Sequence, residues 1–240
     1  MKPIGIGCPT FNRLESLKNT ITSIEKFCKI PYHLYISIDG SNDGTLEWVK
    51  SKKYEYHMQP RTGVCSVKNK ILKRFENYDY SFIIEDDTRL IRNGAFELYI
   101  NAINKFKIHH FNFLIPQQRI KACPDRRIGN LIVMYSKLLG GVFSTFTKDI
   151  IKRVGFFNSE FKGYGYGHCE YTLRVSRAKL TSQWGKFAHL INAEHYIIAN
   201  NSLRRATGEF KKIVDDKKRN SKILEITMRN SRLIYIPYKT

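Results

Sequence analysis

Long apolar runs are missing from this sequence: none of its segments approaches the roughly 18 to 20 residues that a membrane-spanning helix needs. The opening Met1-Lys2-Pro3 passes straight into a strand-like segment without a signal-peptide apolar region, so a cytoplasmic, reducing setting is the expectation. Cysteine is also scarce. The five residues Cys8, Cys28, Cys65, Cys123 and Cys169 are odd in number and widely spaced, with no Cys-x-x-Cys pair. That indicates neither a disulfide framework nor a zinc site, and the expectation is mostly buried free thiols. Acidic side chains are few, 21 against 41 Lys and Arg, which gives a net charge of +20. Such a surface attracts anions at long range: nucleic acid, acidic lipid or phosphorylated small molecules. Low-complexity linkers and internal repeats are lacking too. What remains is 240 residues with 42% hydrophobic and 13% aromatic content, enough for a packed core.

Because acids are scarce, three of them in a row stand out. Ser81 to Leu90 is an apolar β run that ends in Glu85-Asp86-Asp87. Carboxylates side by side repel, and hard oxygen donors suit Mg²⁺ or Mn²⁺, so the triplet predicts either a cation site or a solvated acidic loop. Upstream, strand and helix patterns alternate. A β segment from Pro3 to Thr10 precedes a helix with Leu14, Leu17, Ile21 and Ile24 on one face, and Tyr32 to Ile38 runs into the polar turn Asp39 to Thr45. A short helix follows from Thr45 to Lys53, a strand from Tyr54 to Met58, a helix from Val64 to Glu76 and a strand from Tyr80 to Ile84. Such alternation implies βαβ units and an α/β fold with a mainly parallel central sheet flanked by helices. Ligands in these sheets bind beyond the carboxyl ends of the strands, where the turns after Gly7, Ile38 and Ile84 converge.

Farther along, Ala95 to Phe106 reads as an amphipathic helix and His109 to Pro116 as an apolar strand. Leu131 to Tyr135 and Val142 to Thr147 read as strands around Gly140-Gly141. A helix from Lys148 to Val154 leads to a glycine and aromatic loop, Phe156 to His168, and a helix from Cys169 to Leu180. After Ala206 the composition turns basic, with Lys211, Lys212, Lys217, Lys218, Arg219 and Lys222 on an expected helix peripheral to the core. The expected division is a domain over 1–205, with a nucleotide-binding half to about 92 and an acceptor half beyond it, and a basic extension over 206–240.

Several of these segments together resemble the family-2 nucleotide-sugar glycosyltransferases of the GT-A (Rossmann-like) fold. Pro9-Thr10-Phe11-Asn12-Arg13 is similar to that family's opening motif, and Ile38 to Thr45 to its nucleotide-binding turn. Gly63 with Lys68-Asn69 fits the following helix, Glu85-Asp86-Asp87 stands where the Asp-x-Asp metal motif falls, and Gly167-His168-Cys169-Glu170 resembles the downstream acidic motif. Two positions depart from the pattern: Glu85 replaces the usual Asp, and Cys169 leaves one acid where two are common.

The resemblance implies an inverting, metal-dependent transfer of a sugar from a nucleotide-diphosphate donor, a UDP-sugar favoured, to a hydroxyl acceptor such as a glycan. It implies a nucleotide pocket of Pro9, Thr10, Arg13, Asp39, Arg61, Lys68, Glu85 and Asp86. Asp87 is the expected ligand of Mn²⁺ or Mg²⁺, with His195 as an added ligand. Glu170 is the expected general base, facing Asp87 across the pocket, and Tyr164, Tyr166 and His168 the acceptor contacts. Docking of the basic tail on an acidic membrane is a further expectation. Two other classes stay open: a nucleic-acid-binding protein, which the carboxylates at the cleft disfavour, and a sugar-nucleotide binder without turnover.

Overall fold

The computed structural model describes residues 2–181, 187–199 and 210–239. Its centre is a five-stranded sheet in the order β3-β2-β1-β4-β8, built from β1 (Ile4–Thr10), β2 (Tyr32–Asp39), β3 (Glu55–Gln59), β4 (Tyr80–Ile84) and β8 (Phe143–Thr147). β1, β2, β3 and β4 are parallel, and β8 closes the edge antiparallel to β4. The mainly parallel sheet expected from the alternating pattern is therefore present.

Its two faces are built differently. Ile4, Ile6 and Cys8 of β1, with Phe82 and Ile84 of β4, join a core that includes α1 (Leu14–Phe27) and α4 (Ala95–Phe106). On the opposite face β1 places Gly5 and Gly7, followed by Pro9, and α3 (Val64–Arg74) lies directly on the two glycines. A β-carbon at Gly7 would stand 2.0 Å from Ile71 Cγ2, and one at Gly5 2.4 Å from the ring of Phe75. The period of two along β1 thus sorts large side chains to one layer and close backbone approach to the other. α2 (Thr45–Ser51) follows the second polar turn.

Beyond β4 the chain becomes more irregular. β5 (Thr88–Leu90) pairs with β10 (Ile197–Ala199), and β6 (Arg126–Ile128), β7 (Leu131–Ser136) and β9 (Phe187–Leu190) form a small antiparallel sheet. The strand expected over His109 to Pro116 is instead buried, extended chain with a single bridge, Asn112 to Ser144. Its backbone bonds go in several directions, from His109 N to Leu180 O, Asn112 N to Ala188 O and Phe113 N to Phe143 O, so no ladder continues.

The basic extension is not peripheral. Its described part begins with α7 (Phe210–Arg229), which packs on α6 (Gly167–Arg177), while the expected boundary near 205 lies outside the described residues. Arg177 donates to the carbonyls of Thr227, Met228 and Leu233. Ile236 bridges Gly155, which follows α5 (Lys148–Val154), and Tyr238 meets the Phe156 ring at 5.1 Å. Sequence pattern misplaces the segment because its apolar partners lie more than 50 positions upstream.

Candidate active site

Three strand ends meet on one rim. After β4 the backbone turns sharply, with Thr88 N donating to Glu85 O at 3.0 Å, and Ser16 and Thr20 of α1 both donate to the Asp86 carbonyl. Asp86 and Asp87 are buried and directed at the end of β1. Asp86 accepts from Thr10 Oγ1 at 2.8 Å, and a single guanidinium nitrogen of Arg13 lies 3.3 Å from Asp86 Oδ1 and 3.2 Å from Asp87 Oδ2. Burial pushes the Asp86 carboxyl up to about 7; Arg13 and the Thr10 bond oppose the shift, and Glu85 and Asp87 add to it. A cation is therefore favoured at this turn, and the arginine already stands in for one.

The second strand end is arranged around Asp39, whose carboxylate gathers the loop that enters α3. It accepts from the backbone N–H of Thr62 and of Gly63, each at 2.9 Å, and from Gln59 Nε2 at 3.1 Å. The polar turn beyond it is laced to the first: Asn12 N donates to Ser41 Oγ, Asn42 N to Asn12 Oδ1, and Leu14 N to Asp43. Over the rim, the Arg61 guanidinium lies 3.7 Å from the centre of the Phe11 ring. Phe11 was not among the expected pocket residues; its position between Thr10 and Asn12 was the available signal. Pro9 is buried within β1.

Lys68 departs from its expected place. Rather than reaching toward a phosphate it is buried in α3 and pairs with Glu85 at 2.6 Å, so the glutamate that replaces the usual aspartate is reached by a lysine from below. Asn69, next to it, holds Phe157 by two bonds, donating to its carbonyl and accepting from its N–H.

Glu170 is likewise enclosed. It is 2% exposed, and Arg174, one turn on and 0% exposed, donates to both of its carboxylate oxygens at 2.6 and 3.1 Å. The same guanidinium donates to the carbonyls of Val154, Phe156 and Ile234. Glu170 so arranged anchors α6 to the chain behind it, and receiving a proton from a substrate would require the pair to open.

His195 lies apart from the acidic turn. β10 pairs beside the turn, Ala199 opposite Thr88 and Ile197 opposite Leu90, whereas His195, an exposed residue, ends the 3-10 turn Ile191–His195 that precedes this strand. Among the described residues no three His, Cys, Asp or Glu side chains gather into a ready-made metal cage. One or two carboxylates with the remaining positions left to phosphate oxygens and water is the arrangement a hard cation such as Mg²⁺ takes, and the acidic turn fits it.

A cavity of about 450 Å³ opens beside this turn. It is lined by Phe113, Leu114, Gln118, Gly140, Gly141, Val142, Tyr164 and Lys217. The Val142 carbonyl accepts from Glu85 N and Thr88 Oγ1, which ties the cavity wall to the acidic residues. Tyr164 comes from the glycine and aromatic loop, held from outside by α7: Asn220 Nδ2 donates to the carbonyls of Lys162, Tyr164 and Gly165, and Asp216 accepts from Tyr164 N. Lys217 lies 5.5 Å from the Tyr164 ring. Tyr166 is 41% exposed and sits at positive φ just before α6. Nothing in the sequence named α7 as the clamp of this loop.

His168 and His110 touch behind the cavity, with ring nitrogens 3.3 Å apart. Burial pushes His110 down to about 4, with its bond to the Thr145 carbonyl opposing the shift, and burial first, then Lys68 and His110, holds His168 well below the usual range. The sign follows from proton binding: between pH 6.5 and 4 the unfolded chain takes up a proton at His110 that the folded chain refuses, so stability is lost as pH falls through this window. The expected loss from His110 is on the order of 2 kcal/mol between pH 7 and 5. Urea unfolding at both pH values would read it, and His110→Gln should flatten the slope.

Residues 6–111 match the model of glycosyl transferase family 2. An uncharacterized glycosyltransferase of Acanthamoeba polyphaga mimivirus is 26% identical over 176 residues, covering 70% of this chain and 68% of the relative. Among solved structures, Staphylococcus aureus TarS in complex with UDP-GlcNAc superposes with a TM-score of 0.63 at 12% identity, over 95% of this chain and 67% of that one. A longer TarS structure gives 0.61 at 15% identity over 83% of this chain, which spans only 37% of that protein. The mannosyltransferase PcManGT of Pyrobaculum calidifontis, in complex with GDP-Man and Mn²⁺, gives 0.56 at 11% identity, covering 78% of this chain and 56% of that one. The structural likenesses carry the fold, and the family match spans the residues that form the rim. With its parallel sheet, nucleotide-type turns and acidic β4 end, this chain has the fold of these glycosyltransferase structures, and its residues 6–111 are similar to glycosyl transferase family 2.

Proposed function

We propose that the protein moves a sugar from a nucleotide-diphosphate donor, a UDP-sugar foremost, to a hydroxyl group of a glycan or similar acceptor, with inversion at the anomeric carbon. One observation supports the reading: Thr10 at the end of β1 with Arg13 just beyond it, Asp39 at the end of β2, and Asp86 and Asp87 after β4 share one rim beside a cavity of sugar size. The TarS and PcManGT structures hold UDP-GlcNAc and GDP-Man in their own sites, which supports a nucleotide-sugar donor here.

In this reading the Asp39 turn and Phe11 receive the base and ribose, while Arg61 swings from Phe11 to the diphosphate, where a guanidinium bonds two oxygens at once. Asp87 would hold Mn²⁺ or Mg²⁺ when bound; the metal supplies charge neutralisation to the departing diphosphate. Lys68 keeps Glu85 turned inward, beneath the ribose and sugar. The Gly140-Gly141 wall and Tyr164 shape the room for the transferred sugar and its acceptor. Exposed Ile226 and Met228, interspersed with Lys222 and Arg229 on α7, support docking on an acidic membrane surface, where lipid-linked acceptors are found. An extended nucleic acid is disfavoured by the carboxylates at the rim.

The test is a thermal-shift screen of UDP-, GDP-, CMP- and dTDP-sugars with and without Mn²⁺. Ligand at 100 times Kd stabilises by about 2.7 kcal/mol, so one nucleotide should raise the melting temperature clearly, and more so with metal. No shift from any nucleotide sugar would refute the proposal.

A further inference from the structure

Asp39 and the C-terminal helix are joined through two glycines. The Asp39 carboxylate accepts from the backbone N–H of Thr62 and of Gly63, which fixes the loop that enters α3. Gly163 lies against the same Gly63 in a parallel bridge, and its carbonyl accepts from Val64 N at 3.3 Å. The two backbones touch: a β-carbon on Gly63 would stand 2.3 Å from Gly163 N. Against Gly163 in turn lies the buried Asp216 of α7, and a β-carbon on Gly163 would stand 2.0 Å from its Oδ2. The chain from Asp39 through Gly63 and Gly163 to Asp216 is thus packed without room for a methyl group at either glycine. Hydrogen bonds hold the α7 end. Asp216 Oδ2 accepts from Tyr164 N and Oδ1 from Arg219, while Asn220, buried one turn on, donates to the carbonyls of Lys162, Tyr164 and Gly165.

We propose that Asp216 and Asn220 are positioning residues for the nucleotide: by holding Gly163 against Gly63, α7 fixes the loop that carries Arg61, Thr62 and Gly63 beside Asp39. The proposal rests on the nucleotide-sugar reading of this rim and adds the C-terminal helix to it. Gly63 and Gly163 both have positive φ, at +115° and +64°. Glycine leaves such conformations as readily as it enters them, so the loop keeps its shape only while it is packed from outside. That shape bears on affinity, because a loop that must be ordered on binding takes up part of the binding free energy. Coupling of this kind is reciprocal, so a bound nucleotide tightens the clamp by as much as the clamp tightens the nucleotide.

Calorimetry with UDP and with GDP in Mn²⁺, run well below the melting temperature of each form, measures the effect. Asp216→Ala removes the acceptor of Tyr164 N and the contact on Gly163, and is expected to weaken nucleotide binding by about tenfold. Asp216→Asn keeps an acceptor of the same shape and should bind within about threefold of the wild type. Arg177→Met is the control. It loosens the far end of α7 and the chain after it, at Thr227, Met228 and Leu233, without touching the glycine loop. It should bind within about twofold of the wild type, however far its melting temperature falls. In the wild type, nucleotide should also slow hydrogen exchange over 163–165, a readout that stands even if Asp216→Ala does not fold. The inference is overturned if Asp216→Ala binds within about twofold of the wild type, or if Arg177→Met loses as much as Asp216→Ala. Exchange over 163–165 that ignores a bound nucleotide overturns it too. If the wild type binds neither nucleotide, the nucleotide-sugar reading fails first and takes this inference with it.

Discussion

Replacing Asp87 with Asn should lower sugar transfer by about 10²- to 10³-fold and abolish the extra stabilisation that Mn²⁺ gives to nucleotide binding. The substitution keeps shape and removes one negative charge from a buried position that a divalent cation would share with the diphosphate. Losing one well-placed electrostatic contact to a developing charge typically raises a barrier by about 3 to 4 kcal/mol. The fold should persist, because removing one of three adjacent acids relieves repulsion while Arg13 retains Asp86. The Asp86 carboxyl, which Asp87 helps to raise, should then titrate lower. Turnover with and without added Mn²⁺, beside the melting temperature of each form, checks the expectation. An Asn variant with wild-type, metal-responsive turnover would remove Asp87 from the site.

Glu170→Gln should act on stability more than on chemistry. A neutral amide cannot balance Arg174, which is fully buried and tied to three backbone carbonyls, so it cannot swing out to water. Leaving one partner of a buried pair without its counter-charge costs about 3 to 5 kcal/mol. In a chain of this size each kcal/mol is about 2 to 4 °C, so the melting temperature should fall by on the order of 10 °C. Converting both residues to Met should recover much of the loss, since apolar replacement of a buried pair is often neutral or better. A catalytic base would behave otherwise: Glu170→Gln would melt like the wild type and turn over at a small fraction of its rate. Thermal unfolding and turnover measured on the same preparations distinguish the two.

The first half of the chain was legible because its signals are local. Alternating strands and helices and the turns at 39–45 and 85–87 each state their own geometry, and parallel topology brings them together. The second half was not, because its contacts are distant and specific to the packing. A carboxylate after a glycine loop looks the same in sequence whether it faces a cavity or an arginine one turn on, and burial decides which. Periodicity placed a helix over the basic tail without revealing that Asn220 and Asp216 hold the Tyr164 loop or that Lys217 borders the cavity. His195 precedes β10, at the end of a 3-10 turn, and it is Ala199, not the histidine, that the strand pairing sets beside Thr88.

The most direct test of the central claim is a crystal structure of the protein soaked with UDP and Mn²⁺, with anomalous scattering used to find the metal. The account predicts the base beside Asp39 and Phe11, and a manganese peak between the diphosphate and Asp87 at about 2.0 to 2.2 Å, close to the Mg²⁺ coordination distance. A nucleotide bound away from this rim, or a diphosphate with no metal beside Asp87, would contradict it.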